Sequence, residues 1–139
     1  MIDLGTLAVG EELPPLSREG TLQHWNRFAG ANDEFADHHM DDEVGRHEGF
    51  SGAFMMAPLE HAYYHVLLRE WFGDNGRIVD VDMRLRSPLL RGRTFIAGAS
   101  VKSIEREGDE VIVHLDLWAN DDEGTRIAPG SATVVLPAQ

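Results

Sequence analysis

The sequence predicts an α+β fold in which an antiparallel sheet wraps one central helix, and two patterns carry that prediction. The first is the run 58–72, PLEHAYYHVLLREWF, which is apolar most of the way round and is bounded by Pro58 and Gly73. Proline suits a first helical turn and glycine a C-terminal cap, so this run reads as a helix enclosed on several sides. The second is the C-terminal half, where Val79, Val81, Met83 and Leu85 alternate with charged residues and the same period of two returns twice more. Consecutive runs of that kind separated by short turns are antiparallel strands.

Taken in order, residues 1–16 alternate weakly and end in Pro14 and Pro15, as an edge segment tolerates. In TLQHWNRFAGA (21–31), Leu22, Trp25, Phe28 and Ala29 have helical spacing, with Thr21 as N-cap and Gly30 near the end. His24 beside that face reads as a surface histidine. After the central helix come a strand over 78–86, a bend at SPLLRGR, and a strand with Phe95, Ala97, Ala99 and Val101 facing one way. REGD (106–109) makes a hairpin turn into a strand with Val111, Val113, Leu115 and Leu117 inward. NDDEG (120–124) turns the chain again, and SATVVLP forms the last strand. There is no internal repeat or linker, and 139 residues suit a single domain spanning 1–139.

Composition narrows the function. Twelve basic against 24 acidic residues give a formal net charge of −12, a field that repels nucleic-acid backbones. The absence of cysteine removes disulfides, thiolate metal sites and cysteine nucleophiles. The apolar runs are too short to span a bilayer, and the N-terminus lacks the basic start and apolar core of a signal peptide, so no membrane association and a cytoplasmic location are expected. Arg84, Arg86, Arg91 and Arg93 lie within ten positions. They read either as a solvated strand face or as a landing site for the phosphates of a thioester carrier, since guanidinium forks bind phosphate oxygens.

The chemistry concentrates in FAGANDEFADHHMDDEVGRHEGFSGAFMMAPL (28–59), a polar run without helical or alternating period, followed by a glycine-punctuated apolar patch and the start of the central helix. Glu34 and His39 are five positions apart, as are Asp33 and His38. Carboxylate and imidazole on one loop supply acid and base, and the helix start offers the Ala57 N–H to a developing oxyanion. A metal held by His38, His39, Asp41, Asp42 and His47, or by His61 and His65, is the first alternative, but the HExxH grammar is missing and no metal is assigned. GFSGA breaks the spacing of a serine-nucleophile elbow. No phosphate loop or dinucleotide fingerprint occurs, so no cofactor is implied.

The same run resembles the active-site stretch of MaoC-like (R)-specific enoyl-CoA hydratases and 3-hydroxyacyl-thioester dehydratases, whose form is YAGASGDxNPIHxDxxFAxxxGLPGxIAHGM. VDVDMRLRSPLLRGRTF and GTRIAPGSATVVLP also look like later segments of that family. Aligned through Phe28, Gly30, Phe35, Asp41, Gly49 and Gly52, the family's catalytic histidine falls on His39 and its catalytic aspartate on Glu34. Its asparagine falls on Ala36, its proline on Asp37 and its HG pair on Met56 and Ala57. The resemblance implies a hotdog fold and a lyase acting on enoyl- or 3-hydroxyacyl-thioesters of CoA or an acyl carrier. It implies Glu34 and His39 as the acid/base pair and Ala57 as the backbone donor, with Phe35, Phe54, Met55, Met56, Arg84, Arg86 and Arg91 contacting substrate. It also implies a homodimer, or a heteromer with another hotdog subunit. The competing reading is a non-catalytic acyl-binding or structural subunit paired with an active one, including one for bulky steroid-type acyl thioesters.

Overall fold

The computed structural model describes residues 3–138. In chain order the elements are β1 (Leu16–Glu19), α1 (Leu22–Asn32), a 3₁₀ turn (Asp37–His39), α2 (Asp42–His47), α3 (Ala57–Phe72), β2 (Arg77–Met83), β3 (Thr94–Glu107), β4 (Glu110–Asp121) and β5 (Gly130–Pro137). The strands form one five-stranded sheet in the order β1-β3-β4-β5-β2, every neighbouring pair antiparallel. Sheet and helix thus have the predicted α+β arrangement. No helix among the described residues is long and apolar enough to cross a membrane.

The core lies between the sheet and α3. From the sheet come Phe95, Ala97, Ala99 and Val101 of β3 and Val111, Val113, Leu115 and Leu117 of β4, all buried. From α3 come Leu59, Tyr64, Leu67, Leu68 and Phe72. The Tyr64 hydroxyl donates to the Ala128 carbonyl, so a phenol can be fully buried without leaving its polar end unpaired. Tyr63 packs its ring 5.7 Å from that of Phe95. Gly73 ends α3, its N–H donating to Arg69 O at 2.9 Å.

Two local expectations are corrected. The pairing of β2 with β5 slips between Ile78 and Asp80, a bulge that puts an extra residue into the strand. Ile78, Val81 and Met83 therefore pack against the core, while Val79 is 52% exposed and Leu85, beyond the strand, is 59% exposed. Helix α1 begins at the predicted cap, with Thr21 Oγ1 accepting the His24 N–H at 3.2 Å, but it continues past Gly30. It stops where Asp33 takes a left-handed φ of 54°, a conformation that a short polar side chain tolerates.

Helix α2 is fixed against the glycine patch. A Cβ on Gly45 would stand 2.1 Å from the carbonyl oxygen of Gly52, so only a bare backbone fits there. Asp42 ties the same two segments together, its Oδ1 accepting the Ala53 N–H at 2.9 Å while Oδ2 pairs with Arg91. Substitution Gly45→Ala is expected to cost about 1–3 kcal/mol through overpacking, read as a lower midpoint in chemical denaturation.

Helix α3 also buries an acid. Glu60 is 2% exposed and burial pushes its carboxyl pKa up from 4.5 to about 8. As pH rises through 4.5 the unfolded chain gives up this proton while the folded chain keeps it, so stability falls across the window from 4.5 to 8, at up to about 1.4 kcal/mol per pH unit. Glu60→Gln is expected to flatten that fall, raising the melting temperature at pH 8 and changing it little at pH 4.5. Parallel curves for the two proteins would refute a buried neutral acid.

Candidate active site

The loop that follows α1, the segment before α3 and the N-terminus of α3 meet at a cavity of about 360 Å³. This lies in the size range of small-molecule sites. Glu34, His39 and Glu60 line it together with Ala57 and Pro58 of α3. Phe50, Phe54 and Met55 supply an apolar wall, and Leu85, Arg86, Ser87 and Pro88, beyond β2, close the far side.

Local backbone places the pair. The left-handed turn at Asp33 ends α1, with the Glu34 N–H still bonded to Ala29 O at 3.0 Å, and delivers Glu34 half-buried to the cavity. The 3₁₀ turn then brings His39 inward, where it is 7% exposed. Its Nδ1 lies 2.7 Å from the Phe54 carbonyl oxygen, which can only accept, so Nδ1 carries hydrogen. Nε2 lies 3.2 Å from Nε2 of His38, whose Nδ1 is 3.0 Å from a carboxylate oxygen of Glu48. A hydrogen between the two Nε2 atoms can come from one ring only, and His38 Nδ1 lies where it can donate to the Glu48 carboxylate. Desolvation lowers the His39 pKa most and His38 lowers it further, against the opposing Phe54 carbonyl, Glu34 and Glu48. The neutral form of His39 is thereby favoured. The ring of Phe54 holds both histidines, stacked on His38 at 5.0 Å and edge-on to His39 at 5.0 Å.

At the start of α3, Ala57 occupies the first helical position, whose N–H has no acceptor within the helix. Pro58 has no N–H, and the Leu59 and Glu60 N–H groups both donate to Met56 O, at 3.1 and 3.3 Å. Backbone donation at this helix end rests on Ala57.

Of the residues singled out from the sequence, Glu34, His39, Phe54, Met55, Ala57 and Arg86 line the cavity. Phe35, Met56, Arg84 and Arg91 do not. Phe35 turns outward and is 62% exposed, whereas Met56 is wholly buried in the core. Arg91 pairs with Asp42, and Arg93 with Asp122 and Glu123. Arg84 joins Arg86 and Arg126 along a neighbouring groove of about 270 Å³. The His61 Nε2 lies 3.1 Å from Val81 O, so that ring nitrogen carries a hydrogen and donates. Among the described residues no three His, Asp or Glu side chains are grouped to hold an ion. Sequence reasoning missed Glu48 as the partner of His38, and missed Glu60 in the cavity wall. An acid three positions into an otherwise apolar helix was the available signal for Glu60.

No family model and no curated protein matches the sequence. Solved structures do match in shape. A MaoC-like dehydratase from Rhodospirillum rubrum superposes with a TM-score of 0.86 at 21% identity, over 100% of this chain and 99% of that one. The (R)-hydratase of A. caviae involved in PHA biosynthesis gives 0.85 at 20% identity, over 95% and 98%. A chain of the ChsH1–ChsH2 complex from Mycobacterium tuberculosis gives 0.82 at 19% identity, over 93% and 98%. The chain has the hotdog fold, as the sequence resemblance implied.

Proposed function

We propose that this chain is a MaoC-like hydratase or dehydratase that adds water across the double bond of a 2-enoyl thioester or removes it from a 3-hydroxyacyl thioester. The observation that carries the reading is the convergence on one largely apolar cavity of Glu34, His39 and Ala57, whose N–H has no acceptor within the helix. In the hydration direction, Glu34 and His39 share the acid and base roles. They take a proton from water as its oxygen bonds to the β carbon, and a proton is returned to the α carbon. The electron pair of the double bond passes through an enolate-like state whose oxygen is held at Ala57. Burial favours the neutral form of His39, which can accept a proton at Nε2 once that atom leaves His38.

The carrier would lie outside the cavity. Arg86 lines both the cavity and the groove shared by Arg84 and Arg126, so a thioester inside and anionic phosphates along the groove can be held at once. Arg91 is committed to Asp42 and contributes to the loop instead.

Assembly is part of the reading. Strand β2 ends the sheet with no strand on its outer side among the described residues, and exposed Val79, Leu85 and Phe35 add apolar surface. A second hotdog subunit, identical or not, would cover such an edge. One observation favours a non-catalytic subunit within a heteromer: both ring nitrogens of His39 are engaged inside the protein, by Phe54 and His38. The likeness to a chain of the ChsH1–ChsH2 complex is compatible with that second reading.

Glu34→Ala and His39→Ala are each expected to slow hydration of enoyl-CoA thioesters by about 10²–10⁴-fold, followed by loss of the conjugated thioester absorbance. Unchanged rates in both variants would reject the assignment, and turnover by the purified lone chain would reject the passive role. Sedimentation at micromolar concentration is expected to show a dimer or a dimer of dimers. A monomer that persists on dilution and still hydrates enoyl thioesters would show that the interface is dispensable.

A further inference from the structure

An enolate-like oxygen is best held by more than one donor, and this helix end has a shortage of them. The second helical position is Pro58, and the next two N–H groups are occupied by Met56 O, which leaves Ala57 alone. Three residues along the same helix is Glu60. Positions i and i+3 share a face, and helical side chains lean toward the N-terminus, so the Glu60 side chain is directed back over the turn that carries Ala57. Both residues line the cavity that also holds Glu34 and His39.

Glu60 is 2% exposed, and its Oε2 has no hydrogen-bond partner among the described residues. An unpaired buried polar atom is unfavourable, and a ligand that bonds to it relieves that cost. We infer that Glu60 is the second donor of the oxyanion site, its carboxyl O–H hydrogen-bonding the thioester oxygen beside the Ala57 N–H. This rests on the hydratase reading above and adds a catalytic residue to it.

The surroundings keep the proton on Glu60 at neutral pH. Burial raises its pKa to about 8, and the groups around it do not claim the proton. On its own helix, the Tyr64 hydroxyl is committed to Ala128 O and the His61 ring to Val81 O. Glu34 and His39 face the same cavity from the loop after α1, and Arg86 faces it from beyond β2. A carboxylic acid kept neutral in an apolar site donates a hydrogen bond where a carboxylate would repel the developing charge.

Two substitutions test the role, since Gln keeps a donor without titrating and Leu removes the donor while filling the space. With crotonyl-CoA, Glu60→Leu is expected to lower kcat by roughly 100-fold with little change in KM, and Glu60→Gln to stay within about 10-fold of the parent. Parent activity should fall above pH 8, and that of Glu60→Gln should persist. An independent readout is the infrared carbonyl stretch of bound butyryl-CoA, which cannot react. It should shift to lower frequency in the parent and the Gln variant and shift less in the Leu variant. A Leu variant with parental kcat, or with a parental carbonyl shift, overturns the inference. If the parent binds butyryl-CoA but hydrates no enoyl thioester, the hydratase reading fails while the carbonyl shift still decides the hydrogen bond. Failure of the parent to bind butyryl-CoA overturns both.

Discussion

Helix α3 has almost no polar face, and hiding it is the constraint on which the rest of the architecture depends. Leu59, Glu60, Tyr64, Leu67, Leu68 and Phe72 are buried, and only Pro58, Val66, Arg69 and Glu70 along its length are exposed. One sheet face covers one side of such a helix. The remaining sides need other cover, and the 28–56 segment meets the start of the helix at the cavity that Glu34, His39, Phe54 and Met55 line with Ala57 and Glu60. That segment is irregular because it has to turn repeatedly, and its turns are held by short-range devices: the Asp33 cap, the Asp42 carboxylate on the Ala53 N–H, and the Gly45–Gly52 contact. The cavity opens where this cover meets the start of the helix, so acid, imidazole and free backbone N–H arrive in one place as a consequence of packing.

Much of this was legible in the residues because the elements that build the core obey simple periods. The central helix, the three long alternating strands and their turns follow from apolar spacing alone, since each must bury one face. What periodicity cannot show is a bulge. At β2 the slip between Ile78 and Asp80 exchanges the inward set, so Val79 faces solvent in place of Ile78 although the amino acids alternate without interruption. Long-range pairing is equally invisible. Arg91 and Arg93 read as a basic cluster with Arg84 and Arg86, yet each is matched by acids far away in sequence, Asp42 in one case and Asp122 and Glu123 in the other. Among the described residues Arg84 and Arg86 form no such ion pair, and both line the groove.

At the site, spacing within the loop brought out Glu34 and His39, and the fold does bring both to one cavity. The pairing of Asp33 with His38, equally spaced, is not made: Asp33 is spent on the helix cap and His38 turns to Glu48. A loop that twists through a left-handed residue and a 3₁₀ turn does not preserve equal neighbours for equal separations, which is why one carboxylate and imidazole pair shares a pocket and the other does not.

The distribution of charge follows the same logic. Inside the cavity, burial favours the neutral forms of His39 and Glu60. At its margin, groups nearer water remain: Glu48 beside His38 on one side, and Arg86 with Arg84 and Arg126 on the other. A low-dielectric interior makes each remaining dipole count for more, because little else screens the charge that develops on a reacting oxygen. A ligand that matches this division has an apolar, uncharged reacting part and an anionic handle that stays outside, which is the construction of an acyl thioester on a phosphate-bearing carrier. Under the proposed function, the net charge of −12 opposes such a handle at long range, so Arg84, Arg86 and Arg126 would act as a local reversal of the protein's field along the groove.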